Sequence, residues 1–440
     1  MKTTLARLIL LFGILPLARG DAVLDWNLIA VTTITAGAGT RPGPSVLIDY
    51  AVVHAAIHDA VQAYDGGFEP YATVIENASG SPAAAVAKAT HDVLTNRFPA
   101  QAGTVGTAYT SYLAANSIAT DDPGVAVGAM AAAGVIANRL DDGFLPPNYP
   151  PFTGSNEIGV WRPTLSLLQP PAPPSEAPMA APWLGDVTTF VVLDNSQFEA
   201  KPPYGATKPP FGVKSGRYTR DYKEVKALGS LNSTERTQEE TGMAYFWADN
   251  FLVQMNRLVR SLAESELDNS ADRARLFALV WLTAADGVIT TWHAKISYPT
   301  WRPITFIREG ENDGNKHTKG DPNWQPLINT PNYPDHSSGA NALVSGVTKM
   351  LALYFGGDKM NFTITSLNPN ANPSSRDYHR FSDAALEVVE ARILQGIHTR
   401  TADRNGRKVG LRIARYVYNN ALQPLDHDVC AHEDPEELDD

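Results

Sequence analysis

Two basic residues and a proline form the first group of residues suited to chemistry. Lys295 and Arg302 are separated by six residues in the run WHAKISYPTWRPITFIREGENDGN. Pro303 cannot continue helical hydrogen bonding, so it holds Arg302 at the edge of an element. The spacing therefore predicts that the two cations are presented together.

A hydroxyl and a glycine amide form the second group. Ser338 and Gly339 follow a proline-rich turn, and a helix is predicted to begin near position 340. A serine and an unhindered N–H at a helix N-terminus are typical of an anion site. Further along the chain, Arg392 and His398 add a third cation and an imidazole.

Together these residues have the composition of a site for a trigonal, multiply charged oxyanion. The guanidinium groups of the arginines and the ammonium group of the lysine suit the equatorial oxygens, and the imidazole supplies a nitrogen along the axis. Phosphate and vanadate are the candidate anions. Each residue also has an ordinary structural alternative, because Arg392, for instance, would pair with Glu387 or Glu390 along its own helix.

The order K-x6-RP, SG and R-x5-H resembles the superfamily of type 2 phosphatidic acid phosphatases (PAP2) and vanadium-dependent haloperoxidases. The run AKISYPTWRPITFIREGENDGN, followed by DPNWQPLINTPNYPDHSSGAN, is similar to the secreted haloperoxidase branch. The resemblance extends over nearly the whole mature chain, including VVHAAIHDAVQAY and RYTRDYKEVKALGSLNSTERT.

The resemblance implies a role for each residue of the predicted site. His398 would bind the vanadium of a vanadate cofactor axially, and Ser338 and the Gly339 amide would bind vanadate oxygens together with the three cations. Lys295 would also polarise bound hydrogen peroxide, which a halide would attack to give hypohalite. Hydrogen peroxide, a halide and a small organic substrate are the implied partners. If the anion is a phosphoester instead, His398 becomes the nucleophile.

One position departs from the family pattern. The family has Ser-Gly-His or Ser-Ala-His at the serine turn, where the histidine is the general acid/base, but this chain has Ala340. Three replacements stay open, namely His336 from the same loop, Asp335 acting through water, and the anion handling its own protons. General acid–base groups contribute about 10²–10⁴-fold, so weakened activity is expected.

Three further residues are predicted to lie close to the site. Tyr333 falls where the resembled enzymes vary with the halide, and His336 is expected in the pocket wall. Asp403, five residues beyond His398, would hydrogen-bond that imidazole, although the superfamily more often has a spacing of four. Three functions remain open, namely a haloperoxidase, an acid phosphatase-like hydrolase, and a catalytically silent secreted oxyanion-binding protein that Ala340 would explain.

Composition limits the partners and the compartment. The 440 residues carry a net charge of −11, which argues against nucleic acid as a partner. Residues 1–20 are typical of a signal peptide, with basic residues, an apolar run from Leu8 to Leu17 and a small-x-small cleavage site. That run is too short for a comfortable membrane span, and no other stretch is apolar enough. We expect a secreted protein, extracellular or periplasmic.

We expect an all-α fold of two helical bundles. Apolar periodicity predicts helices in the N-terminal bundle, 21–144, at 22–36, 44–64, 82–98, 101–116 and 123–142. In the C-terminal PAP2/haloperoxidase-like bundle, 217–424, it predicts helices at 217–228, 235–262, 273–294, 339–355, 381–397 and 406–421.

The proline-rich residues 145–216 predict a long irregular connection between the bundles. Five aromatic residues favour a wrap packed on the surface over a flexible linker, and these are Trp161, Trp183, Phe190, Phe198 and Tyr204. The acidic residues 425–440 predict a disordered tail.

Overall fold

The computed structural model describes residues 20–164 and 177–425. The predicted signal peptide except Gly20, and the predicted tail except Leu425, lie outside these residues. Among them 56% are helical, in thirteen α-helices and several 3₁₀ turns, and the paired strands form one two-stranded sheet. The prediction of an all-α fold is therefore confirmed, and the domain boundaries stay a prediction.

The N-terminal helices begin where their sequence supplies a cap. Asp21, Ser81 and Asp122 each accept a hydrogen bond from a first-turn N–H, and prolines stand in the first turn of two of these helices. The five helices are α1 Ala22–Gly37, α2 Val46–Asp65, α3 Pro82–Arg97, α4 Ala102–Ala115 and α5 Pro123–Asn138.

The second half of the chain contains eight helices in the described residues. They are α6 Gly216–Leu228, α7 Gln238–Phe246, α8 Phe251–Glu266, α9 Ser270–Ser297, α10 Pro303–Arg308, α11 Gly339–Tyr354, α12 Phe381–Leu394 and α13 Arg400–Asn420. An antiparallel hairpin of β1 Lys359–Thr365 and β2 Ser375–Arg380 precedes α12.

Two features of this half differ from the sequence prediction. The single helix expected at 235–262 is wrong, because Asn250 caps a new helix by accepting from the N–H groups of Leu252 and Val253. The turn-rich run NPNANPSS was predicted only as a break, yet it closes the hairpin. Strand pairing depends on partners outside each strand, so periodicity within six or seven residues did not reveal it.

Helix α9 is the centre of the core. It packs against α2 on one side and against α11 and α13 on the other, and one apolar cluster runs through both halves of the chain. By length and composition α9 is apolar enough to cross a membrane, which the sequence analysis did not anticipate. Its apolar window is entirely buried within the fold.

The described part of the proline-rich connection wraps over this core. Asp286 of α9 accepts hydrogen bonds from the N–H groups of Phe190, Val191 and Val192 at 2.6, 2.9 and 3.0 Å. Trp161 is buried and its N–H donates to the Pro299 carbonyl at 2.7 Å. These bonds fix the irregular backbone on α9, so the described part of the connection is not a free linker.

Candidate oxyanion site

Five elements bring the predicted residues to one place. Lys295 lies in the last turn of α9, Arg302 is the N-cap residue of α10, and Arg392 lies in the last turn of α12. Ser338 is the N-cap residue of α11. His398 lies in the short connection between α12 and α13.

The ring of Tyr333 joins the first two cations. Lys295 Nζ lies 5.0 Å from the ring centroid, and Arg302 Cζ lies 4.9 Å from it. Arg302 Nη1 lies 3.1 Å from His398 Nε2. Tyr333 therefore lies in the wall of the site, where the sequence analysis placed it.

The three cations are buried, but no described carboxylate forms an ion pair with any of them. Lys295 Nζ donates to the carbonyl oxygens of Pro334 and Asp335 at 2.7 and 3.3 Å. Arg302 Nη2 and Arg392 Nε have no hydrogen-bond partner. Buried donors are normally satisfied, so these unpaired nitrogens fit a site that binds an anion.

Arg392 does not form the ion pair with a glutamate of its own helix that was its structural alternative. Glu387 pairs with Arg376, and Glu390 pairs with Arg400. Arg392 Nη1 instead donates to Gln395 Oε1 at 2.6 Å. Gln395 was absent from the sequence analysis, although its three-residue spacing from Arg392 was a signal that would have found it.

Crowding of positive charge changes the protonation of the whole group. Burial lowers the pKa of Lys295 well below its ordinary value, and the charge of Arg302 lowers it further. Burial also lowers the pKa of Arg392 to about 10. A bound anion would oppose both effects. For His398, burial and then the charges of Arg302 and Arg392 hold the pKa well below its ordinary value, so the imidazole is neutral.

Asp335 holds the imidazole of His398. Its Oδ1 lies 2.6 Å from His398 Nδ1, and its Oδ2 accepts from the Thr399 hydroxyl at 2.7 Å. This carboxylate favours the tautomer with the proton on Nδ1, which leaves a lone pair on Nε2. The prediction that Asp403 makes this contact is wrong, because Asp403 lies within the first turn of α13 and bonds to Asn341 at 2.8 Å instead.

The N-terminus of α11 has backbone donors that its own cap does not satisfy. Ser338 makes no side-chain capping bond, and its hydroxyl accepts from Asn341 Nδ2 at 3.2 Å. The first N–H groups of a helix have no partner within it, so the amides from Gly339 onward suit an oxyanion. Ala340 is half-buried beside them and offers only a methyl group.

His336 occupies the pocket wall but does not join the cations. Its ring is buried, lines a small cavity with Tyr204, Trp301 and Asp335, and has neither nitrogen in hydrogen-bond geometry. Burial, with the charge of Lys295 as a second cause, lowers its pKa to about 3. A ring that holds no proton to donate is poorly suited to exchange protons with a bound anion.

Close approach of α13 fixes the serine turn in place. A Cβ at Gly406 would lie 2.1 Å from the Ser338 carbonyl oxygen, whereas a Cβ at Gly287 in α9 would meet nothing within 4 Å. Gly406→Ala is expected to destabilise the fold by about 1–3 kcal/mol, and Gly287→Ala to stabilise it by about 0.5–1 kcal/mol. Urea unfolding of both variants measures this, and equal midpoints would contradict the close contact.

Comparisons with known proteins match the second bundle and the fold. Residues 275–427 match the family model of the VCPO second helical-bundle domain. A vanadium chloroperoxidase of Curvularia inaequalis is 30% identical over 211 residues, which cover 40% of this chain and 33% of that protein. This chain therefore aligns with about a third of that relative's length.

Solved structures extend the likeness to most of the chain. A bacterial vanadium-dependent iodoperoxidase superposes with a TM-score of 0.78 at 21% identity, covering 94% of this chain and all of that one. An apo bacterial vanadium-dependent chloroperoxidase gives 0.68 at 17% identity, covering 85% and 92%. The matched second bundle and the shared fold support a relation to the vanadium haloperoxidase and PAP2-like superfamily. At these identities the structural likeness shows the shared fold.

The residues predicted to bind the oxyanion, here called the cradle, converge without the histidine expected at position 340; they are Lys295, Arg302, Ser338, Gly339, Arg392 and His398. The donor set is rich in cations and backbone amides, and it places one neutral imidazole nitrogen against an arginine fork. These residues fit vanadate or phosphate. The structure also adds Asn341 and Gln395 to the polar groups around the site.

Proposed function

We propose that this protein is a vanadium-dependent haloperoxidase that oxidises a halide with hydrogen peroxide. The observation that carries the proposal is the convergence around His398 of three buried cations, none of which pairs with a carboxylate among the described residues. A vanadate cofactor would supply a fully oxidised centre that activates peroxide without changing its own oxidation state. The signal-like N-terminus supports secretion, and a small organic molecule is a candidate acceptor of the oxidised halogen.

The overall reaction consumes one proton. Hydrogen peroxide, a halide ion and a proton give hypohalous acid and water, the halide losing two electrons as the O–O bond breaks. One peroxide oxygen becomes bonded to the halogen and the other leaves as water. The protein must therefore bind an anionic cofactor, admit a second anion and deliver a proton.

Each part of the site has a task in this reaction. The cations offset the charge of the bound oxyanion, and Asp335 keeps the His398 lone pair directed towards it. Lys295 is held by the Pro334 carbonyl with its charge against the rings of Trp292 and Tyr333. In this water-poor wall, an ammonium group would polarise a bound peroxide oxygen more strongly than in water.

A phosphatase is the second candidate function. The neutral imidazole of His398, oriented by a carboxylate, is also the arrangement of an activated nucleophile. Hydrolysis of a generic phosphoester without peroxide, inhibited by vanadate, would favour it. Peroxide-dependent oxidation of bromide or iodide would favour the haloperoxidase, and tight anion binding with neither activity would favour a silent binding protein.

Anion binding itself is testable before any turnover. Orthovanadate or phosphate at 100 times its Kd is expected to stabilise the folded protein by about 2.7 kcal/mol, measured as a rise in Tm. Arg302→Met should abolish the rise in Tm, because it removes a buried guanidinium group that contacts His398. Arg308→Met is the matched control, since Arg308 donates to the Trp324 carbonyl, away from His398. Equal shifts in the two variants would contradict the assigned site.

A further inference from the structure

Asp403 lies on the face of α13 that touches the serine turn. Gly406 and Gly410 follow it by three and seven residues on the same helix face. Cβ atoms at these glycines would lie 2.1 and 2.2 Å from the carbonyl oxygens of Ser338 and Ala342. The two helices are in backbone contact there, so the side chain of Asp403 points at the N-terminus of α11.

The carboxylate of Asp403 is only half satisfied. Its Oδ1 accepts from Asn341 Nδ2 at 2.8 Å, and the same amide nitrogen lies 3.2 Å from Ser338 Oγ. Its Oδ2 has no partner in hydrogen-bond geometry, although the side chain is fully buried. An unpaired, buried carboxylate oxygen is costly as an anion, and protonation of Oδ2 removes that cost.

Charged groups from four elements face this carboxylate. They are Lys295 of α9, Arg302 before α10, Arg392 of α12 and Asp335 in the loop before α11. Burial raises the pKa of Asp403 well above its ordinary value, and Asp335 raises it further. The Ser338 hydroxyl and the charges of Arg392 and Arg302 oppose this increase.

We propose that Asp403 holds and transfers the proton that a histidine at position 340 would otherwise transfer to the oxyanion. This inference rests on the proposed function. Protonated Asp403 gives its Oδ2 proton to the peroxide oxygen that leaves as water, while the halide bonds to the other oxygen, which keeps its hydrogen. Solvent then returns a proton to the carboxyl, and this is the one proton that the overall reaction consumes.

The two other candidates are less suited to this role. Both oxygens of Asp335 are used, one by His398 and one by Thr399. Burial and the charge of Lys295 lower the pKa of His336 to about 3, so its ring does not hold a proton to donate. Among these three groups, Asp403 alone combines an unpartnered oxygen with a place beside Ser338.

Proton linkage of anion binding tests the inference without turnover. Inorganic phosphate binding is measured by calorimetry in buffers of different ionisation enthalpy, for wild type and Asp403→Asn. The protonated carboxyl repels no anion, so wild-type affinity should fall as pH rises through the Asp403 pKa, with uptake of about one more proton than in the variant. At low pH the two affinities should converge. Asp221→Asn is the matched control, because Asp221 is another buried carboxylate, bonded to Thr401 N–H outside the cradle.

The asparagine variant retains an acceptor for Asn341, so a purely structural role of Asp403 would leave proton linkage unchanged. Equal proton uptake by Asp403→Asn and wild type would overturn the inference while leaving the anion site intact. If neither protein binds phosphate or vanadate, the proposed function fails first, and the inference fails with it.

A second variant covers the case in which Asp403→Asn does not fold. Asn341→Ala keeps the carboxyl but removes a hydrogen bond that favours its charged form. The proton-linked fall in phosphate affinity should then move to higher pH. A profile that stays at the wild-type pH would also overturn the inference.

Discussion

Replacing His398 with alanine is expected to abolish vanadate-dependent halide oxidation. The substitution removes Nε2, the imidazole nitrogen that Asp335 does not contact, and it leaves Asp335 Oδ1 without its closest partner. Loss of a single oxyanion donor typically costs about 10²–10³-fold in kcat. Loss of the axial nitrogen should exceed that range and should also weaken vanadate binding.

The measurement pairs vanadate affinity with peroxide-dependent bromide or iodide oxidation. His379→Ala is the control histidine, because His379 lies exposed on the hairpin and bonds only to Asn361 among the described side chains. Circular dichroism should show that His398→Ala is folded, since Thr399 still bonds to Asp335. Wild-type turnover in a folded His398→Ala would exclude His398 as the axial ligand.

The buried charges of the site lower the stability of the folded protein. Desolvating three cations without paired carboxylates is unfavourable, and replacing buried charges by apolar groups often stabilises a protein. The two carboxylates of the site instead orient polar side chains. Asp335 contacts His398, and Asp403 accepts a hydrogen bond from Asn341. The net charge left for a ligand is positive although the whole chain carries −11.

Much of the fold could be predicted from the sequence because the capping residues and prolines that mark a helix start lie within a few residues of it. Asp122 and Pro123 mark the start of α5, and the start of α12 at Phe381 was predicted as the structure has it. The break at Asn250 was missed because apolar periodicity continues across it. The hairpin was missed because its register joins residues such as Phe362 and Tyr378, whose pairing no short window contains.

The sequence could predict which residues form the site, but not which hydrogen bonds they make. The order of the motifs predicted that Lys295, Arg302 and His398 form one site, and the structure places these residues close together. The partner of His398 was mistaken because sequence proximity favoured Asp403 over Asp335, 63 positions away. Since α13 begins at Arg400, Asp403 is turned towards α11, and only the three-dimensional path of the serine loop brings Asp335 to the imidazole.

Restoring a histidine at the serine turn is expected to have the second largest effect. Ala340 is half-buried in the first turn of α11, next to Ser338 and Gly339, so an imidazole there would lie beside the serine turn. General acid–base catalysis contributes about 10²–10⁴-fold, and Ala340→His should raise kcat for halide oxidation within that range. A smaller gain would mean that a native group already transfers the proton.

The double variant separates these two explanations. If Asp403 carries the proton, Asp403→Asn should lower wild-type turnover, and adding Ala340→His should restore it, because the imidazole supplies the missing transfer. If Asp403 only holds Asn341 and the turn, the histidine cannot repair the loss, and the two effects should add independently. Steady-state kinetics of the four proteins across pH therefore measures the coupling between positions 340 and 403. Strong rescue would assign proton transfer to α13 in this chain, where the resembled family assigns it to α11.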